Sequence, residues 1–395
     1  MRLYDTLRQR VEPFTPSDGR VKLYVCGVTP YDTTHMGHAF TYVCFDVLAR
    51  YLEFCGYPVR YVQNVTDIDD DILRRANELG VAWDDLARQE TARYLQDMRD
   101  LNVRPVDVMP RATEEVPKIL EIDEALLKNG WAYENAGNVY FRVRQDPEYG
   151  KLSKLRLDEM LPVANERGNN PNDPYKEDPL DFVLWQAAQP GEPTWNSPWG
   201  PGRPGWHIEC SAMSIKYLGD QLDIHGGGAD LVFPHHESEI AQSEHYTGKT
   251  PFVRFWVHTA MVYCGGEKMS KSLGNLVMVR DELRRYSADT VRLYLLSHHY
   301  RRPWQYAMDG PATTAKLAQR LSVAANSTGG AALDLTPFQA EFVAAMDDDL
   351  DTPRAIAALD ALARAILAEG AGGAARQALR RYGGVLGLQL HDTVE

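Results

Sequence analysis

Cysteine is scarce in this chain: Cys26, Cys44, Cys55, Cys210 and Cys264 are spread over 395 residues. An odd, scattered set excludes a disulfide framework and fits a reducing, cytoplasmic setting. Long apolar runs are missing too. Nothing approaches the ~18 residues of a membrane span, so no membrane partner is expected. The opening MRLYD lacks the charged-then-apolar order of a secretory leader. Positive charge is not in excess. With 42 Lys and Arg against 55 Asp and Glu, the net charge of −13 excludes a general nucleic-acid binder but leaves room for a local basic patch. Arg284-Arg285, Arg301-Arg302 and Arg380-Arg381 are candidates for one, or are simply solvated helix faces. There is no internal repeat. What remains is an ordinary globular composition with room for two or three domains.

The chain is organised around YVCGVTPYDTTHMGH at 24–38. Val21, Leu23 and Val25 alternate as in a half-buried strand, Gly27 and Pro30 break it, and Tyr42, Phe45, Leu48, Ala49 and Leu52 recur at helical spacing. This predicts strand, turn, helix, with a thiol at the strand end and His35 and His38 at the helix mouth. A helix N-terminus offers free N–H groups and a positive dipole end, which suit phosphate. Far downstream, Lys268-Met269-Ser270-Lys271-Ser272 lies in a loop flanked by Gly265, Gly266 and Gly274, a cationic finger.

Between these motifs, residues 58–65 read as a second strand. Its end carries Thr66, a ligand candidate, and Asp69 to Asp71, a helix cap with an acidic first turn. Residues 75–135 are mostly helical, 138–143 form a strand, and 144–180 are polar and rich in Pro, Gly and Asn. Leu222 to His225 form a short strand. Gly226, Gly227 and Gly228 follow as a loop that lets backbone approach a nucleotide, with Asp230 able to accept from ribose hydroxyls. Phe233 to Glu239 open a helix. His235 and Glu239, four apart, share a face; His236 and Glu237 are expected to point elsewhere, as structural or solvent-facing residues. A thiol, imidazole and carboxylate set suits zinc, but Cys26 and Cys210 are too far apart for a local finger pattern, so the metal stays open on spacing alone. Helices are expected over 281–297, 308–330, 336–347 and 353–387, with joints at Gly329-Gly330 and 369–374.

The segments YVCGVTPYDTTHMGH, QNVTDIDD, RPGWHIECSAM, DIHGGGADLVFPHHESEIAQSE and GEKMSKSLGN resemble the class I cysteinyl-tRNA synthetases and their relatives, the mycothiol cysteine ligases. The resemblance runs from about residue 2 to about 388. It implies an α/β fold: a Rossmann-like parallel sheet split over 1–75 and 182–280, an inserted α+β subdomain at 76–181, a linking helical region at 281–335, and a C-terminal helical bundle at 336–395. It implies one zinc held by Cys26, Cys210, His235 and Glu239, which binds the substrate thiol. It also implies ATP with Mg2+, and L-cysteine as substrate. His35, His38, Lys268 and Lys271 would stabilise charge on the transferring phosphates. Gly27, Thr29, Thr41, Asn64, Thr66, Trp206, Gly227, Gly228, Asp230, Val262, Ser270 and Ser272 would line the amino-acid and nucleotide sites. The intact His and Lys motifs argue against a non-catalytic binding module.

The acceptor of the activated cysteine is read two ways. Pro30, the Glu166–Pro171 segment and HHYRRPW at 298–304 look like the mycothiol ligases, and the chain stops where a further anticodon-reading module would begin. The expectation therefore leans to the amine of an amino sugar such as glucosaminyl-inositol, in a monomer. The alternative is tRNA-Cys. ERGNNP departs from the ligases' usual ERGGDP. CSAM at 210–213, EIAQSE at 239–244 and Glu239 as a fourth metal ligand look like the tRNA enzymes.

Overall fold

A computed structural model describes residues 1–31, 34–269 and 274–391. At its centre lies a four-stranded parallel sheet in the order Val253–Thr259, Leu222–Gly228, Val21–Val28, Val59–Val65. Two strands come from the start of the chain and two from beyond residue 220. The backbone at Val108 and Pro110 accepts from Gln63 and Val65 N–H groups and covers the free edge.

Strand alternation divides the core in two. Val21, Leu23 and Val25 pack with the Met36–Phe54 helix and the C-terminal helices. Tyr24 and Cys26 face the opposite way, toward the helices Val116–Lys128, Trp206–Leu218 and Glu237–Thr247. The Val253–Thr259 strand follows the same rule: Phe255 and Val257 join the first cluster, Trp256 the second.

The insertion contains a four-stranded antiparallel sheet of Ala132–Asn135, Asn138–Phe141, Phe182–Ala187 and Gly202–Pro204. Phe182–Ala187 pairs with Asn138–Phe141, so this sheet continues past residue 181, where the sequence reading placed the return to the nucleotide fold. Asp69 caps the Asp70–Leu79 helix by accepting from Ile72 N–H at 2.7 Å, with Asp70 and Asp71 in the first turn, as expected. The last part is helical over Ala288–Leu296, Gly310–Asn326, Thr336–Asp347, Thr352–Glu369 and Gly373–Val385. The expected break near 369–374 falls at Gly370, in the left-handed region.

The helical region is locked to the sheet domain by a buried ion pair. Arg292 Nη2 donates to Asp46 Oδ2 at 2.7 Å, and both side chains are fully buried. Arg292 also donates to the carbonyls of Leu386 and Leu101, and Arg50 Nε lies 2.9 Å from both Asp46 oxygens. Gly387, at φ +70°, lies against this guanidinium; a Cβ there would stand 2.0 Å from Arg292 Nη2. Gly387→Ala therefore combines an unfavourable φ with a clash against a pinned group, and is expected to destabilise the protein by about 2–4 kcal/mol in denaturant unfolding. A loss below about 0.5 kcal/mol would show that the lock yields.

Four of the six arginines in the basic pairs seen in the sequence are engaged with acids or backbone. Arg284 pairs with Asp281, Arg285 with Glu282, Arg301 with Asp349, and Arg380 donates to the Ala325 carbonyl. Among the described residues no helix is long and apolar enough to cross a membrane.

Candidate active site

The carboxyl ends of the central strands, where ligands bind in open parallel sheets, carry the residues picked out in the sequence. Register explains the convergence. Tyr24 and Trp256 both stand opposite His225, and His258 stands opposite Gly227. One face of the sheet thus presents Tyr24, Cys26, His225, Trp256 and His258 together. The Trp206–Leu218 helix adds Cys210, and the turn entering the Glu237–Thr247 helix adds His235 and His236.

Cys26, Cys210, His235 and Glu239 offer one ligand atom each within 4.8 Å of one another, and all four residues are buried. Cys26 Sγ lies 3.6 Å from Cys210 Sγ and 3.6 Å from Glu239 Oε1, and His235 Nε2 lies 3.3 Å from Glu239 Oε1. Four ligands at zinc-like bond lengths in a tetrahedron stand about 3.3–3.8 Å apart. The donor types and their spacing therefore fit that ion.

A second, overlapping group is Cys26, His225, His236 and Glu239. Its contacts are those of supports. His225 Nε2 is 2.9 Å from Glu239 Oε2, the oxygen turned away from the first quartet. His236 Nε2 is 3.2 Å from Cys26 Sγ, while its Nδ1 is 2.7 Å from His258 Nε2, and His258 Nδ1 is 2.8 Å from Thr6 Oγ1. His207 Nδ1 is 3.0 Å from His235 Nδ1, which leaves Nε2 as the coordinating atom. Such outer contacts fix ring orientation and tautomer.

Burial pushes His207, His225 and His258 down to about 3, and His235 and His236 well below their ordinary value. These imidazoles are neutral at physiological pH, the form that ligates metal. Burial raises Cys26 and Glu239 because it penalises their charged forms.

One expectation needs correction, and one resolves to its structural branch. His236 does not point away: positions 235 and 236 precede Glu239 by four and three residues, and both spacings share its helix face. Glu237 is structural but not solvent-facing. It is 1% exposed, and its carboxylate accepts from the N–H groups of Leu152 and Ser153. His207, His225 and His258 had drawn no functional reading from sequence. Their signal is the strand register and helix packing that aim them at one point.

The Met36–Phe54 helix reaches this cluster through Tyr42, whose hydroxyl donates to the Cys26 carbonyl at 3.4 Å. His35 caps the Met36–Phe54 helix, its Nδ1 accepting from Gly37 and His38 N–H groups, and its ring stacks on His38 at 3.8 Å between centroids. Met36 N–H donates to Val277 O, and Val279 N–H to Thr34 O. These bonds bring the chain just beyond the lysine loop against the His pair. Lys268 ends the Glu267–Lys268 strand opposite Tyr263, and Met269 N–H donates to Val262 O. Ser270, Lys271 and Ser272 lie outside the described residues.

The remaining candidates ring the cleft. Gly27 N–H donates to Asn64 Oδ1 at 2.8 Å, and Asn64 Nδ2 donates to Thr66 Oγ1 at 3.2 Å. A Cβ on Gly27 would overlap the Asn64 carbonyl, so only glycine lets these strands meet here. Thr29 is in the turn after this strand, its carbonyl accepting from Tyr31 N–H. Thr41 Oγ1 is 2.8 Å from Thr259 Oγ1. Gly227 and Gly228 close the Leu222–Gly228 strand, and Asp230 folds back over Gly228. Trp206, at the rim, stacks on His235 at 4.4 Å. Arg203, just before it, joins Glu192 at 2.9 Å to Asp70, tying the strand that leads to Trp206 to the helix that follows Thr66.

Residues 13–314 match the family described as tRNA synthetases class I (C) catalytic domain, and residues 341–391 match the DALR domain. The chain is 48% identical over 401 residues to a cysteine--tRNA ligase of Dehalococcoides mccartyi, covering 99% of this chain and 86% of that protein. It is 49% identical over 403 residues to the cysteine--tRNA ligase of Alkalilimnicola ehrlichii, with the same coverage. Among solved structures it resembles Mycobacterium tuberculosis methionyl-tRNA synthetase in complex with methionyl-adenylate, with a TM-score of 0.66 and 16% identity over 94% of this chain and 89% of that one. The leucyl enzyme of Agrobacterium radiobacter follows, with a TM-score of 0.67 and 12% identity over 95% and 85%. At such identity these likenesses show the fold alone.

Proposed function

The chain belongs to the cysteine-type class I tRNA synthetases, a family of ligases, and from that membership we propose that it activates L-cysteine with ATP and transfers it to tRNA-Cys. The observation that carries the reading is similarity to cysteine--tRNA ligases over 99% of this chain and 86% of theirs. The amino-sugar acceptor expected from parts of the sequence finds no support in these comparisons. The reason is physical: both reactions share one adenylation site, so motifs there do not discriminate between acceptors. The buried Glu239 in the donor quartet agrees with the tRNA reading.

Cys26, Cys210, His235 and Glu239 would hold zinc. Zinc bound there supplies a Lewis acid that binds a thiolate strongly and a serine hydroxyl poorly, a discrimination a plain pocket cannot match. The residues of the chain do the rest. Trp206 covers the side-chain end of the pocket. Asn64, Gly27 and Thr66 fix the strand ends beside the amino acid. The cysteine carboxylate attacks the α-phosphate of ATP, forming the mixed anhydride and releasing diphosphate. His35 and His38 at the helix N-terminus, with Lys268 and Lys271, stabilise the charge that develops. A terminal ribose hydroxyl of tRNA then attacks the carbonyl and releases AMP. A cytoplasmic setting accords with this chemistry.

Cysteine-dependent exchange of labelled diphosphate into ATP tests the first half-reaction. Exchange is expected with cysteine and not with serine; equal rates with both would overturn the thiol reading. Lys271→Ala is expected to slow adenylate formation by about a hundredfold or more, with little change in cysteine binding, because the lysine acts on transition-state charge. A loss confined to the KM for cysteine, with kcat intact, would contradict that role.

A further inference from the structure

We propose that Glu209 recognises the α-ammonium group of the amino-acid substrate. The inference rests on the cysteine-activating reading and names the part of that site which reads the amine. Glu209 stands in the first turn of the Trp206–Leu218 helix, directly before Cys210 and three residues after Trp206. Residues three apart share a helix face, so its side chain leaves the helix on the side of Trp206. It is 1% exposed, and its Oε2 has no hydrogen-bond partner.

Among the described residues, no cation is a leading neighbour of Glu209. Its near neighbours are Cys210, Asp67, Asp69 and the Thr66 hydroxyl. The neighbouring carboxylates are already employed. Asp67 accepts from Thr113 N–H at 3.0 Å and from Thr113 Oγ1 at 2.7 Å, and Asp69 caps its helix. Glu209 is therefore the carboxylate of this group with acceptor capacity to spare. A buried carboxylate oxygen without a donor is costly unless a ligand supplies one.

An ammonium group supplies both donors and the missing sign of charge. In cysteine the nitrogen lies three bonds from the sulfur. A substrate whose thiol is held beside Cys210 must place its amine close by, and Glu209 is the covalent neighbour of Cys210. The same carboxylates repel the substrate carboxylate, which turns it toward the helix mouth at His35 and His38, where the α-phosphate reacts. Trp206, one turn above, closes the pocket over the amine.

The test compares three thiols on the metal-loaded protein: cysteine, 3-mercaptopropionate, which lacks the amine, and cysteamine, which keeps it but lacks the carboxylate. The wild-type protein is expected to bind cysteine far more tightly than 3-mercaptopropionate. Glu209→Gln should contract that ratio by about tenfold to a hundredfold, with 3-mercaptopropionate affinity and metal content unchanged. An unchanged ratio, or equal weakening of both thiols, would overturn the assignment. If Glu209→Gln does not fold, Glu209→Asp, which keeps the charge but shortens its reach, should still weaken the amine-bearing thiols selectively. In the wild-type protein cysteamine should bind more tightly than 3-mercaptopropionate, and the reverse order would also overturn the proposal. Wild-type diphosphate exchange with cysteine tests the parent reading separately. Its absence would sink that reading, whereas intact exchange with an unchanged ratio would sink only the role of Glu209.

Discussion

Cys210→Ser is expected to lose bound zinc and to lower cysteine-dependent diphosphate exchange by roughly three orders of magnitude, beyond the 10–100-fold typical of outer contacts to a metal site. The serine hydroxyl is nearly isosteric but remains protonated at neutral pH, so it cannot replace a thiolate ligand. Cys210 stands 3.6 Å from Cys26 Sγ, and among the described residues the quartet has no fifth group to take its place without displacing a support. ATP binding should persist, because the helix mouth at His35 and His38 is built from other elements. A graded series follows from the geometry. His225→Asn, which releases only the far oxygen of Glu239, should cost about 10–100-fold. Retention of stoichiometric zinc and near-normal exchange by Cys210→Ser would contradict the assigned quartet.

Asp46→Ala is the substitution expected to harm stability most, by about 3–5 kcal/mol, because it leaves a buried guanidinium without its counter-ion. Arg292 is fully buried, and burial already lowers its proton affinity despite Asp46. The lock joins the Met36–Phe54 helix, the chain at Leu101 and the C-terminal turn at Leu386, so its loss loosens the helical region from the sheet domain. The double replacement Asp46→Ala with Arg292→Met should cost less than the sum of the two single changes, since it removes both charges together. Unfolding followed by denaturant measures this. A cost under about 1 kcal/mol for Asp46→Ala would show that another acid such as Asp289, or solvent, takes over the role.

Much of this was legible in the sequence because short-range rules governed it. The alternation of Val21, Leu23 and Val25 marked the strand and its inward face, and Asp69 announced a helix cap that the structure contains. His235 and Glu239 were paired by helical spacing alone. The rest depended on register between strands distant in sequence. Nothing local in Asp-Ile-His or Trp-Val-His tells that His225 and His258 reach the same cluster as Cys26; only the pairing of Leu222–Gly228 with its two neighbours does so. The partner of Asp46 lies 246 residues away, and no periodicity points to it. The extent of the inserted sheet escaped for the same reason: Phe182–Ala187 reads as an apolar strand, and its choice of neighbour is a tertiary fact.

The most direct test of the central claim is the acceptor assay with purified protein, ATP, labelled cysteine and either tRNA-Cys or glucosaminyl-inositol. The account predicts acid-precipitable cysteinyl-tRNA whose label is released by mild alkali, as an ester requires, and no acceleration of AMP release by the amino sugar. An alkali-stable product with the amino sugar, and no charging of tRNA-Cys, would contradict it.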